Sequence, residues 1–191
     1  MEKCTPTDDH VEGPFYRPGA PDATDIYPSD SNGSVLWFSG SVSDINCTPL
    51  LGATIEVWQA DEDGHYDNDD PNSPPTGFRC RGRMKTDSKG LFSFRTVLPS
   101  NYPVPQEAWV RVKHIHFKIY AVGYQPLTTE IDLLPDDYIS SDQLYNPNLA
   151  VTLQSSDALG GKVEYRAHFD FVLRQVSVMG YSIAAKYRVN T

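Results

Sequence analysis

The chain is 191 residues long, with 39% hydrophobic, 12% aromatic and 21% charged residues, a balance that suits a single globular domain with a sizeable core. Its 16 basic against 25 acidic residues leave a formal net charge of −9, and no Lys/Arg cluster interrupts the acidity, which excludes a nucleic-acid footprint. No apolar stretch approaches the ~20 residues a helix needs to cross a bilayer, so a helical membrane role is excluded as well.

Read from the N-terminus, residues 1–33 form an irregular arm. Its start, MEKCTPTDDH, is polar and holds no apolar segment of the kind a secretory leader carries. That points to the cytoplasm, unless an exported chain has already lost its leader. The arm is expected to pack on the following elements as part of one domain over 1–191.

Beyond it, short alternating runs of β-branched and aromatic residues predict strands at Val35–Val42, Ala53–Gln59, Gly90–Val97, Ile115–Val122 and Tyr165–Leu173. TDSKG, from Thr86 to Gly90, reads as a tight turn between two of them. Residues 71–83 read as a loop, and 134–160 as a loop with a short helix. The acidic run DEDGHYDNDDP reads as a solvated loop. Helical periodicity is scarce, so the expected fold is all-β: a β-sandwich with long functional loops. The cysteines Cys4, Cys47 and Cys80 lack metal-site spacing, and an odd count allows at most one internal disulfide.

The stretch RVKHIHFKIYAVGY, residues 111–124, places His114 and His116 on one strand face with Ile115 opposite. Roughly 6–7 Å apart by the strand rise, two such imidazoles can converge on one metal ion; a pair of surface histidines on a half-exposed strand is the plainer reading. Tyr66, in DEDGHYDND, and Tyr102, in VLPSNYPVP, are potential phenolate donors, although each alone reads equally well as a core or rim tyrosine.

Together, LGATIEVWQADEDGHY, TDSKGLFSFRTVLPSNYPVP and RVKHIHFKIYAVGYQPLTTEI resemble the core of the intradiol ring-cleavage dioxygenases, as EGPFYRPGAP resembles the segment before their sandwich. That family includes catechol, hydroxyquinol and protocatechuate 3,4-dioxygenases, and the likeness runs from about Glu12 to Ile131. The resemblance implies one non-haem Fe(III) per chain, held by Tyr66, Tyr102, His114 and His116. The chemistry suits those residues, because ferric iron is a hard Lewis acid and phenolate a hard anionic donor. By the same resemblance a small catechol and O2 are the reactants, and cleavage between the two hydroxylated carbons gives a cis,cis-muconate-type diacid. Tyr102 gives way to the substrate and accepts one of its protons.

Arg111, three residues before His114, falls at the family's arginine position, where a fixed guanidinium can stabilise developing negative charge. Strict alternation would put it on the face opposite His114, so the backbone must break at Val112–Lys113. Relatives usually carry Pro-Ala there, and glutamine where this chain has Glu130. Glu130 is therefore expected near the metal, either modulating it or pairing with Arg111. Phe15, Tyr16 and Arg79 are expected to line the substrate mouth, with Arg17, Arg81 and Arg83 as further cations nearby. His65 competes with its neighbour Tyr66, while His10 and His168 lie outside the motifs. Compact relatives also suggest a Cys4–Cys47 disulfide.

Other classes stay open at this point. A transthyretin-like sandwich used only for binding would share the strand–turn pattern. A two-histidine, one-carboxylate Fe(II) oxygenase could enlist Glu130 or Asp61, and a zinc hydrolase could use the two histidines. Whether the chain forms a homo-oligomer is not legible.

Overall fold

The computed structural model describes residues 3–70, 72, 75–104, 107–157 and 163–176. Part of the 71–83 loop (71, 73 and 74) and the last residues of the 134–160 segment (158–160) lie outside them.

In chain order the strands are β1 (Val35–Asp44), β2 (Thr54–Trp58), β3 (Arg81–Lys85), β4 (Leu91–Val97), β5 (Tyr102–Pro103), β6 (Val110–Arg111), β7 (His114–Tyr120) and β8 (Leu127–Leu134). After a single 3₁₀ turn at Pro147–Leu149 come β9 (Ala150–Thr152), β10 (Gln154–Asp157) and β11 (Val163–Leu173). One sheet runs β10-β11-β1-β4, a second runs β3-β2-β7-β8-β9, and β5 pairs with β6 alone. The expected β-sandwich is the fold observed.

The core lies between the two large sheets. Leu36, Phe38, Phe94 and Phe171 from the first meet Ile55, Phe117, Ile119 and Ile131 from the second. Phe117 touches both partners across the gap, with ring centroids 5.0 Å from Phe38 and 4.9 Å from Phe171. Burying each such side chain contributes about 1.5–3 kcal/mol. The Thr86–Gly90 turn forms as read: Asp87 Oδ1 accepts the amides of Lys89 at 2.8 Å and Leu91 at 2.9 Å.

Among the strands not legible as such, β3 and β8 bear most on the site. Arg81 and Arg83, read as loop residues, lie on the edge strand β3, where Gly82 and Met84 face inward. Residues 127–134 form β8, whose core face is Leu127, Thr129, Ile131 and Leu133; its other face carries Glu130 and Asp132, charged residues that are nonetheless buried. Residues 134–160 hold the expected short helical turn but also β9 and β10. Val122, placed at a strand end by sequence, is fully exposed beyond β7.

The arm runs along both sheets. Its backbone bonds Cys4 N to Ile45 O at 3.0 Å, Thr7 N to Val172 O at 3.1 Å and His10 N to Thr128 O at 2.8 Å. Further on, Ala23 N meets Arg83 O at 3.0 Å and Ile26 N meets Arg95 O at 2.9 Å. A disulfide joins Cys4 to Cys47, the pairing the resemblance suggested, while Cys80 is a free, buried thiol.

Because that bond closes a 43-residue separation, replacing Cys4 and Cys47 by serine should lower stability by about 2–4 kcal/mol. Urea denaturation checks this: the variant's midpoint should match that of the reduced wild type.

Candidate metal centre

The antiparallel register of β7 and β8 sets His116 opposite Glu130 and His114 opposite Asp132, and β2 sets Trp58 opposite His116. Since side chains alternate, Ile115, Phe117 and Ile119 enter the core while these polar residues share the outer face. That face is nonetheless sealed: His114, His116, Glu130 and Asp132 are 4%, 3%, 1% and 1% exposed. Four separate segments cover it.

The first is the turn after β2. Asp61 Oδ1 accepts the amides of Asp63 and His65, each at 3.0 Å, and turns the chain so that Tyr66 is buried. Gly64 has φ +85°, and a Cβ there would lie 2.4 Å from the Asn101 carbonyl oxygen. Only glycine lets this turn abut the segment carrying Tyr102. His65 points outward to Asp69, so of the two adjacent candidates it is Tyr66 that turns in. The second segment is the β5–β6 pair, in which Tyr102 is registered with Arg111.

The structure brings Tyr66, Tyr102, His114 and His116 together. Tyr66 Oη lies 3.2 Å from His114 Nε2. The two tyrosine rings meet edge to face at 5.7 Å, and the Tyr102 and His114 rings are 6.4 Å apart. The third segment is the arm, whose Phe15 stacks on Tyr66 at 4.4 Å and meets Tyr102 edge-on at 5.6 Å. Trp58 stacks on His116 at 4.8 Å with planes 6° apart.

His114 Nδ1 lies 2.6 Å from the Val112 carbonyl. A carbonyl only accepts, so Nδ1 carries the hydrogen and Nε2 presents a lone pair towards Tyr66. The chain does break at Val112–Lys113, between β6 and β7. That break turns Arg111 onto the polar face, where its Nη2 donates to Glu130 Oε1. Its Nε donates to both oxygens of Asp142, at 3.2 and 3.1 Å, and the Val112 amide meets the same carboxylate at 2.8 Å. Asp142 belongs to the fourth covering segment.

Burial lowers the pKa of His114 and lowers that of His116 well below its ordinary value, which favours the uncharged imidazole in both. Burial likewise pushes the phenols of Tyr66 and Tyr102 above their ordinary value. Burial alone would also raise Glu130, but the His10 contact and the Arg111 guanidinium outweigh it and hold the carboxyl well below its usual range. At Asp132 burial first, then the Glu130 charge, outweigh the Arg111 guanidinium and raise the carboxyl from 3.8 to about 8.

His114, His116 and Glu130 each offer a donor atom, and these atoms lie within 4.8 Å of one another. His116 Nδ1 and Glu130 Oε2 are buried without a hydrogen-bond partner, as is each oxygen of Asp132. Imidazoles biased to the uncharged form and buried phenols that ionise only beside a cation fit a metal ion.

The residues expected at the substrate mouth divide. Phe15 lines the site. Tyr16 packs on Trp58 at 4.9 Å, but its hydroxyl is committed to Glu56 at 2.7 Å. Arg79 is not brought to the cluster: it pairs with Asp30 of the arm and lies 3.5 Å from Asp61 and 3.8 Å from Glu62. Those carboxylates are scattered through the sequence, which is why its engagement was not legible. His168 lies exposed on β11 between Ser39 and Asp170. Sequence reasoning missed His10, whose Nδ1 lies 3.4 Å from Glu130 Oε1, as well as Asp132 and Asp142. Position before EGPFY was the one available signal for His10; Asp142 lies in a segment with none.

A family model described as Dioxygenase matches residues 11–175. The catechol 1,2-dioxygenase of Acinetobacter baylyi is 33% identical over 161 residues, covering 76% of this chain and 51% of that protein. The 6-chlorohydroxyquinol 1,2-dioxygenase of Cupriavidus pinatubonensis is 34% identical over 188 residues, covering 90% of this chain and 65% of that one. The chain thus spans about half to two thirds of the length of these curated relatives. Among solved structures, the 3-chlorocatechol 1,2-dioxygenase of Rhodococcus opacus 1CP superposes with a TM-score of 0.82 at 28% identity, over 92% of this chain and 74% of that one. The dioxygenase domain of a dioxygenase carbohydrate-binding protein fusion from Streptomyces sp. SirexAA-E gives 0.75 at 34% identity, over 90% of this chain and all of that one.

Two outcomes follow from the buried charges. Arg111→Met would leave Glu130 and Asp142 facing each other without their cation, and should cost about 3–5 kcal/mol in thermal or urea denaturation. Asp132 binds its proton more tightly folded than unfolded, so the stability it contributes is full below about pH 4 and is lost as pH rises towards about 8. Asp132→Asn should therefore gain on the wild type across that window, in metal-free protein unfolded by urea at each pH.

Proposed function

The chain belongs to the intradiol ring-cleavage dioxygenase family, and from that premise we propose that it uses one non-haem Fe(III) to cleave a catechol between its hydroxylated carbons with O2. The product is a cis,cis-muconate-type diacid. The observation that carries this reading is the convergence of Tyr66, Tyr102, His114 and His116 in one sealed space.

Those four residues would hold the iron. Bound there, the ferric ion would supply Lewis acidity, stabilising phenolates and drawing electron density from a chelated ring. The chain's own groups do the rest. Tyr102, less deeply buried than Tyr66, is the residue that, once ionised by a bound cation, would take a catechol proton on its phenolate Oη. Arg111 is clamped between Glu130 and Asp142, so its guanidinium is a fixed donor that needs no reorganisation as negative charge develops. Phe15 and Trp58 wall the space with aromatic surface and exclude water.

We take the substrate to be a catechol without a carboxylate. The arginines that could receive one are engaged already: Arg17 and Arg81 with Asp67, Arg79 with Asp30, and Arg83 with Asp22. The Cys4–Cys47 disulfide supports an oxidising setting for the chain.

A two-histidine, one-carboxylate centre is the reading that His114, His116 and Glu130 would support by themselves. Glu130 is already bound by Arg111, however, and that reading gives the two buried phenols no role.

Loading the purified protein with ferric iron should turn it red through phenolate-to-iron charge transfer, and anaerobic catechol should shift the band. Tyr66→Phe should lose most of the band. A protein that stays colourless after ferric or aerobic ferrous loading would overturn the iron reading and leave a binding sandwich.

A further inference from the structure

The two histidines are fixed in unequal ways. His114 donates its Nδ1 hydrogen to Val112, which settles both its tautomer and its bare Nε2. His116 has its ring plane set by the Trp58 stack, but its buried Nδ1 has no hydrogen-bond partner. The acceptor that faces it is Glu130 Oε2, at 3.5 Å and itself unpartnered. Its other nitrogen, Nε2, faces the arm at Gly13.

Glu130 is gripped at its other oxygen. Arg111 Nη2 donates to Oε1, and His10 Nδ1 lies 3.4 Å from the same oxygen, outside hydrogen-bond geometry; with an acceptor facing each of its nitrogens, His10 makes this contact as an imidazolium, in an ion pair. His10 is itself held at two points, by its Nε2 on the Leu144 carbonyl at 3.0 Å and by its amide on the Thr128 carbonyl at 2.8 Å. One contact on a carboxylate oxygen leaves the group free to turn about its own axis. A second contact from another direction fixes its plane, and with it where the free oxygen points.

We propose that His10 is a positioning residue of the metal centre: by fixing Glu130 it keeps Oε2 facing His116 Nδ1, so that Nδ1 carries the hydrogen and Nε2 remains the donor. A bare Nδ1 opposite a carboxylate oxygen would set two lone pairs against each other, and an N–H there removes that conflict. A histidine that binds a metal generally gives its other ring N–H to a carboxylate or carbonyl, and loss of that partner costs 10–100-fold in metal affinity. Through His10 the N-terminal arm, covalently tied at Cys4, becomes part of the site's framework. This rests on the assignment of Tyr66, Tyr102, His114 and His116 as iron ligands.

The test uses the full chain. In metal-free wild type, long-range ¹H–¹⁵N correlations of the imidazoles should show His116 protonated at Nδ1. His10→Ala should give a mixture of the two His116 tautomers and about 10-fold weaker ferric binding in chelator competition. His10→Asn, whose amide can reach Oε1, should recover most of that loss. A wild-type His116 protonated at Nε2 overturns the proposal without recourse to any variant, which keeps it decidable should His10→Ala fail to fold. So does a folded His10→Ala with unchanged tautomer and affinity. A colourless protein with the expected tautomer would overturn the iron reading while leaving the positioning of His116 in place.

Discussion

Everything at the site depends on one constraint: the outer face of the β7–β8 pair is polar and is nevertheless buried. The register that aligns His116 with Glu130 and His114 with Asp132 is not chosen by those residues. It is chosen by Ile115, Phe117 and Ile119 on one strand and Thr129, Ile131 and Leu133 on the other, all fully buried. A slip of one residue would turn that apolar set out of the core and the imidazoles into it. Core packing therefore fixes the spacing of the two imidazoles and the two carboxylates.

Burying that polar face carries a penalty unless partners are found, and this explains the rest of the architecture. The arm brings His10 and Phe15, the turn after β2 brings Tyr66, and the β5–β6 pair brings Tyr102 and Arg111. Arg111 sits between two carboxylates, and desolvating such a cluster seldom adds to stability by itself. What it gives is position: three side chains with their orientations locked, beside a fourth, His116, whose ring is held flat against Trp58.

Legibility in the sequence followed how far each residue's role was local. β1, β2, β4, β7 and β11 were readable because one apolar face alternates against a less apolar one. β8 broke that pattern, since Thr129 lies on its core face and Glu130 and Asp132 are buried on the other. β3 was hidden by two arginines, one of them buried against Asp67. Arg111 conflicted with strict alternation, and the conflict itself located the break at Val112–Lys113. Tyr66 and Tyr102 could be singled out from other tyrosines only by resemblance, because the Gly64 turn that brings them together acts across the Asn101 segment. His10 and Asp142 act on partners 120 and 31 residues away in the chain, a relation that local pattern does not encode.

The same desolvation that makes the site costly also prepares its donors. In water an imidazole is partly protonated near neutral pH, and a phenol is not a ready ligand. Enclosed here, His114 and His116 are biased to the uncharged form, while Tyr66 and Tyr102 are driven further from ionisation. Only an arriving cation reverses the second effect, and a more highly charged cation reverses it more strongly. A site lined in this way would discriminate by charge: a weakly polarising ion would meet two neutral phenols, whereas a hard, highly charged one would convert them into anionic ligands. Burial would thus be the cause both of the energetic cost and of a preference among ions.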